Sequence, residues 1–296
     1  MLDLRQHEDS YELFHDGQLL FRYVYKSSVP ANESPKPYFH PLNTLHGQTV
    51  TDFRPADHTW HTGLAMTMAY LSGLNFWGGP SYVHGQGYIQ LANNGQIQHH
   101  TWLLAECVNN QARLGERLAW ITPNGQVWID EVRHMTAIVA DDTNWYLDFE
   151  FRLTNVSRQT LEFGSPTTQG RPNAGYGGLF WRGPLAWQNP DICLAELSDS
   201  QAMMGASAAW LAYSGGASDQ RATLVFIDHP TNPRYPNQWF VRDVEYVGVC
   251  FAFVFDQAYF LPSDETLTLR YRVAIADGDL SETALNQLTQ SFLTED

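Results

Sequence analysis

Between Arg54 and Gly63 the chain reads RPADHTWHTG, which puts a carboxylate, two imidazoles and an indole within residues 57–61. That inventory suits proton transfer. A carboxylate beside an imidazole fixes the ring's tautomer and stabilises its protonated form, so Asp57 can orient His58 or His61 as a general acid or base. His40, held between prolines in PYFHP at 37–41, can serve as the counterpart across a substrate ring. The three histidines could alternatively ligate a metal. An i, i+3 pair shares a face only on a helix, however, and a segment bounded by proline and glycine reads as a loop. No metal ligand and no cofactor is therefore assigned. The chain has no Walker A loop, no G-x-S-x-G elbow and no H-E-x-x-H, and GQGYIQ at 85–90 lacks the third glycine of a dinucleotide fingerprint.

Other segments carry groups that could hold a substrate. GRPNAGYGGLFWRG at 170–183 supplies Arg171, Asn173, Tyr176 and Arg182 on a glycine-rich backbone that can approach a ligand closely. IDHPTNPRYPNQW at 227–239 sets Asp228, His229, Asn232 and Arg234 among three prolines, a stiff frame for polar side chains. Glu131, inside VWIDEVR, is a candidate second catalytic carboxylate. Trp60, Trp77 and Trp181 are candidates for an aromatic platform. From His58 to Ala105, 48 residues pass without Asp, Glu, Lys or Arg, yet the stretch holds seven Trp, Tyr and Phe and many Gln, Asn and Gly. Aromatic faces with neutral hydrogen-bonding groups suit a polyhydroxylated ring, although a buried pair of strands with polar turns would share that composition. His40, Asp57, His58, His61, Arg171, Asp228 and Arg234 are expected to meet in one concave pocket.

Strands must position these loops, because the period along the chain is two. In WYLDFEFRL at 145–153 the residues Trp145, Leu147, Phe149, Phe151 and Leu153 alternate with polar partners, and LTLRYRVAI at 267–275 repeats the pattern. Shorter versions occur at 20–25, 127–133 and 222–227. Such alternation makes antiparallel strands with one buried face. The one helix expected is C-terminal, over 282–293, capped by Ser281 with Leu285, Leu288 and Phe292 on one side. No repeat or linker interrupts the chain. The expected fold is all-β, a single domain over 1–296 built as a large antiparallel β-sandwich with a short C-terminal helix.

Composition narrows the partners. Net charge is −15 with no Lys/Arg cluster, which argues against nucleic acid and anionic membrane. No apolar run reaches the roughly 20 residues of a membrane span, and no secretory signal opens the chain. Cys107, Cys193 and Cys250 are too few and too scattered for a disulfide framework. A cytoplasmic, soluble protein with a small-molecule sugar as partner is expected; the oligomeric state is not legible.

The segments PYFHPLNTLHGQTVT, DHTWHTGL, LNFWGGP, NAGYGGLFWRG, IDHPTNPRYPNQWFVR and LRYRVAIADG, in that order, make the chain resemble the PmoA-like family of bacterial proteins over nearly its whole length. The name methane oxygenase often attached to that family does not suit a chain without spanning segments. The resemblance implies a supersandwich similar to galactose-mutarotase-like proteins and a role in carbohydrate catabolism. Where the family pattern reads D-H-x-H-H-R-G, this chain keeps Asp57, His58, His61 and Gly63 but has Trp60 and Thr62. Losing one histidine weakens a metal site there, while an added indole favours stacking on a sugar. The expected function is a carbohydrate-processing enzyme acting on a neutral or oxidised sugar or glycoside by histidine and carboxylate acid–base chemistry (hydrolysis, elimination or epimerisation). A non-catalytic carbohydrate-binding protein and a metal-dependent hydrolase are the alternatives.

Overall fold

The computed structural model describes residues 1–195 and 203–294. Alternating side chains build two eight-stranded sheets. One runs in the order Leu2–Gln6, Ser10–His15, Gln18–Val24, Tyr38–Leu42, Leu64–Thr67, Gly178–Arg182, Gly248–Ala252, Gln238–Arg242. The other runs Asp191–Leu194, Trp210–Gly215, Ala222–Asp228, Thr266–Asp277, Asn144–Asn155, Val127–Val139, Gln111–Ile121, Gln96–Val108. Neighbouring strands are antiparallel throughout. The 145–153 alternation lies in register with 267–275, Trp145 opposite Ile275 and Phe149 opposite Tyr271.

The two sheets face each other across an aromatic core. Phe39 of the first sheet meets Phe149 of the second at 5.8 Å, Trp181 meets Phe226 at 5.5 Å, and Phe251 meets Tyr271 at 4.2 Å. Rings tilted or set edge-to-face at these separations add to area burial. The architecture is therefore an antiparallel sandwich, as the period of two requires. The C-terminal helix Glu282–Leu293 is capped by Ser281, whose hydroxyl accepts from the Ala284 amide at 3.2 Å. It buries Leu285, Leu288 and Phe292 on the outer face of the second sheet, against Trp210, Val225 and Ile227. Among the described residues no helix is long and apolar enough to cross a membrane.

Two expectations change with the fold. Glu131 is not at the expected pocket as a second catalytic carboxylate: it is paired inside Val127–Val139, opposite Leu118 and Leu153, and points between the sheets. There its carboxylate accepts from Trp120 Nε1 and Arg133 Nε, both at 2.6 Å, and Arg133 Nη1 reaches the Tyr23 hydroxyl of the facing sheet at 2.9 Å. Tyr23 in turn donates to Glu116, which also meets His99 Nδ1 at 2.6 Å. A buried carboxylate needs this kind of paired network, so Glu131 serves as an interior tie between sheets. Trp181 likewise faces the core. Leu179 and Trp181 take the inward parity of their strand, and the Trp181 indole donates to the Val50 carbonyl at 2.7 Å. Phe180 and Arg182 therefore take the outer face.

That outer face carries the site. Gly178–Arg182 and Gly248–Ala252 are buried at every position, so both of their faces are covered. One face is the sandwich core. Loops cover the other, where Phe180, Phe240, Cys250 and Ala252 pack with Trp77, Tyr246 and Phe255.

Candidate active site

The loop 54–63 is a compact turn. The His58 amide donates to Pro55 O, the His61 amide to His58 O and the Arg54 amide to His61 O, all within 3.0 Å. Arg54 grips the buried Glu33 through two hydrogen bonds of 2.9 and 2.7 Å. Gly63 ends the turn at φ +75°, and a Cβ there would lie 2.1 Å from the Phe39 carbonyl oxygen, so only glycine fits. This local geometry places Asp57, His58, Trp60 and His61 against the strand that carries Arg182.

Arg182 organises the cluster. Its guanidinium makes two bonds to Asp57, Nη1 to Oδ2 at 3.0 Å and Nη2 to Oδ1 at 3.1 Å, and Nη1 also lies 3.2 Å from His61 Nδ1. A guanidinium only donates, so His61 Nδ1 is the acceptor and the ring proton sits on Nε2. At His58 the opposite holds. Its Nδ1 lies 2.7 Å from Asp57 Oδ2, and an ionised carboxylate only accepts, so Nδ1 is the donor and the neutral ring leaves Nε2 as a bare acceptor. The two rings stack at 4.6 Å with 10° between planes. One ion pair thus sets complementary tautomers on two stacked imidazoles: His58 Nε2 can take a proton, and His61 Nε2–H can give one or hydrogen-bond an oxygen.

Electrostatics reinforce that division. Burial pushes His61 well below the ordinary histidine value, and the charges of His58, Arg182 and Lys36 push the same way, so His61 stays neutral. Partial burial disfavours the Asp57 carboxylate, but hydrogen bonds from Arg182 and His58 outweigh it and hold its carboxyl below the usual value. Lys36 is fully enclosed nearby. Its ammonium donates to the carbonyls of Trp77, Ser34 and Glu33 at 2.8, 3.1 and 3.4 Å, and burial pushes it down to about 7 against the opposing pull of Glu33.

His58 and His61 open onto a cavity of about 220 Å³. Trp60 and Trp77 form part of its wall, with Tyr88, Arg171, Tyr176, Phe240, Arg242, Glu245 and Tyr246. Trp60 rests on a glycine shelf: a Cβ at Gly79 would come within 2.6 Å of the indole, and one at Gly78 within 2.6 Å of the Trp60 Cβ. The FWGGP motif is the complement of this ring. Tyr88 comes from the hairpin formed by Ser81–Val83 and Gly87–Ile89, and its hydroxyl accepts from Arg171 and meets the Tyr176 hydroxyl at 2.8 Å.

Of the seven residues expected to converge, the structure brings Asp57, His58, His61 and Arg171 together, and the candidate binding residues Trp60, Trp77 and Tyr176 join them. The others lie elsewhere. His40 stacks on Phe53 at 5.1 Å and bonds Thr51 through Nδ1, away from the cavity wall. Asn173 reaches the site only through its carbonyl, 3.5 Å from Arg242 Nη2. The 228–234 motif is a knot holding strand ends. Asp228 is buried and accepts from Asn232 and the Asn237 amide; burial raises its carboxyl, opposed by those bonds. Asn232 clasps both the carbonyl and the amide of Arg270, at 2.6 and 2.7 Å. His229 packs edge-on to Phe292 of the C-terminal helix, and Arg234 caps the carbonyls of Phe253, Gln257 and Ala258. Most of the polar bonds of this motif go to backbone groups. Among the described residues no three His, Cys, Asp or Glu side chains gather as a metal site would require.

Sequence reasoning missed Arg242, Glu245, Tyr246, Phe240 and Tyr88, and did not give Arg182 its central place. Parity could have found Arg182, two residues from Phe180 on the same strand face. A larger groove of about 800 Å³ lies elsewhere, between Trp187 and Asp277. Its His46–Asp277 pair leaves the imidazole 70% exposed, so that histidine is not held as His58 and His61 are.

One family profile runs along residues 10–290. The chain belongs to DUF6807, a family of unknown function. Comparison with curated proteins returns no match. Among solved structures, this DUF6807 chain is similar to a mutant of heparan sulfate lyase HepC from Pedobacter heparinus, with 12% identity and a TM-score of 0.46 over 95% of the chain. It spans 37% of that lyase's length. Galactose 1-epimerase from Lactobacillus acidophilus NCFM aligns with 94% of the DUF6807 chain and 99% of its own, at 10% identity and a TM-score of 0.41. Likeness at this level says nothing about the chemistry of the cavity.

Proposed function

We propose that this protein is a carbohydrate-processing enzyme that works by proton transfer between paired histidines. The observation that carries the proposal is the Arg182–Asp57 ion pair, which fixes opposite tautomers on His58 and His61 at the wall of one cavity. His58 Nε2 accepts a proton from the substrate, and Asp57 stabilises the imidazolium that results. His61 Nε2–H hydrogen-bonds the oxygen on which charge develops, and its burial keeps the ring neutral for that task. Trp60 and Trp77 offer apolar ring faces to sugar C–H groups, while the Tyr88 and Tyr176 hydroxyls meet substrate hydroxyls. Elimination, epimerisation and hydrolysis all use this pair of roles. The motif resemblance to PmoA-like proteins supports a place in sugar catabolism. The acidic surface and scattered cysteines support a cytoplasmic protein, folded as one domain, with no nucleic-acid or membrane partner.

The test is ¹H NMR of the protein with a panel of aldoses, uronates and their methyl glycosides in D₂O. Turnover, or exchange of a carbon-bound proton for deuterium, is expected with one of them. His58→Gln should abolish it while leaving affinity nearly intact. Affinity for a sugar without any turnover in the native protein would leave the chain a binding protein and end the catalytic reading.

A further inference from the structure

The cavity wall that holds His58 and His61 also presents Arg171 and Arg242. Several arginines of the chain answer to carboxylates, Arg54 to Glu33, Arg182 to Asp57 and Arg221 to Asp279, and Arg234 is spent on three backbone carbonyls. Arg171 and Arg242 pair with none among the described residues. Each is instead seated on an aromatic ring, Arg171 with its guanidinium carbon 4.7 Å from the Tyr88 centroid and Arg242 5.1 Å from that of Phe240. Arg171 gives one hydrogen bond to the Tyr88 hydroxyl, and Arg242 gives one of 3.5 Å to the Asn173 carbonyl and another to the Tyr246 hydroxyl. A guanidinium has five N–H donors, so most of both forks stay unused. Glu245 is the one carboxylate on the wall, and it forms no ion pair with either arginine. In a chain of net charge −15, two guanidinia held at a cavity without an ion pair need a reason, and an anionic ligand supplies one.

We infer that the ligand is a sugar acid whose carboxylate is bound by Arg171 and Arg242 while its ring lies against Trp60 and Trp77, within reach of the two histidines. The ring half of this statement rests on the proposed function, and the anion half does not. A carboxylate fits better than a phosphoryl group because the backbone offers no free nest. The Gly78 amide already donates to Asn75 Oδ1 at 2.9 Å, and the Gly79 amide to the Asn32 carbonyl at 2.8 Å. Recognition is left to two planar forks, which match a planar carboxylate.

The experiment is calorimetric titration of the native chain and of Arg171→Met, Arg242→Met, Arg171→Lys and Arg242→Lys. The probes are D-glucuronate, D-galacturonate, D-glucose, D-galactose, D-glucose 6-phosphate and acetate. A uronate is expected to bind at least about tenfold more tightly than its neutral parent, and each Met variant to lose about tenfold or more of that affinity. The Lys variants keep the charge but lose the fork, so they should recover only part of the loss. Equal affinity for uronate and neutral sugar overturns the inference while leaving the carbohydrate reading standing. Preference for the sugar phosphate overturns the choice of anion. Acetate binding as tightly as the uronates keeps the anion site but removes the sugar, and so overturns the inference together with the carbohydrate reading. Failure of both uronates to bind at millimolar concentration also overturns the inference. Circular dichroism of each variant separates lost binding from lost folding.

Discussion

Lys36→Met probes the ground beneath the cavity without needing a substrate. In the folded chain Lys36 is sealed among the carbonyls of Trp77, Ser34 and Glu33 and titrates at about 7, whereas the unfolded side chain keeps its ordinary 10.5. Between those values the unfolded state holds a proton that the folded state has released. Stability therefore rises with pH across the window from 7 to 10.5, at a slope approaching about 1.4 kcal/mol per unit. Lys36 is half protonated in the folded state at pH 7, so the integrated gain from pH 7 to pH 9 is about 2 kcal/mol. Methionine cannot titrate, and other ionisable groups act nearly alike in both proteins. The stability difference, native minus Lys36→Met, should therefore grow by about 2 kcal/mol in the native protein's favour over that range. Urea denaturation followed by tryptophan fluorescence at pH 7, 8 and 9 reads it directly. Parallel profiles for the two proteins would refute the reasoning and mean that the carbonyl cage holds the ammonium charged.

Further expectations concern the cluster and its supports. Asp57→Asn leaves one oxygen for two donors, so His58 loses its fixed tautomer; turnover should fall 10²- to 10⁴-fold with affinity nearly kept, and a normal kcat would contradict the base assignment. His61 stays neutral when folded but binds a proton when unfolded below its ordinary 6.5, so native stability should fall as pH drops from 6.5. The His61→Gln profile should be flatter there, as denaturation at pH 6.5 and 5 will show. Gly79→Ala sets a methyl 2.6 Å from the Trp60 indole at φ +65°; a loss of about 1–3 kcal/mol with altered tryptophan emission is expected. Arg234→Met strips donors from three carbonyls and should cost about 1 kcal/mol in denaturation, since the exposed carbonyls can turn to water, while leaving ligand affinity unchanged, because it lies off the cavity.

The sequence by itself determined the class of fold and the make-up of the candidate loop. Side-chain alternation at 145–153 and 267–275 is a local property, since successive residues of a strand must face opposite ways, and it showed which residues enter the core. Ser281 followed by Leu285, Leu288 and Phe292 marked the helix for the same local reason. Asp57, His58, His61, Trp60 and Gly63 are neighbours along the chain, so their clustering was legible without any pairing of strands. What only the tertiary structure decided is which distant residues meet them. Arg182 lies 125 residues beyond Asp57, and it reaches the loop because Gly178–Arg182 pairs with Leu64–Thr67. Arg242 arrives because its strand closes the same sheet edge. Glu131 and Trp181 show the converse, since their types suit a site while their parity sends them between the sheets. The 228–234 motif looks like a ligand grip in one dimension, and in three its polar groups are spent on the backbone of 253–258 and on Arg270. Residue type records what a side chain can do, but strand pairing and facing fix which partners it meets, and those depend on contacts a hundred residues apart.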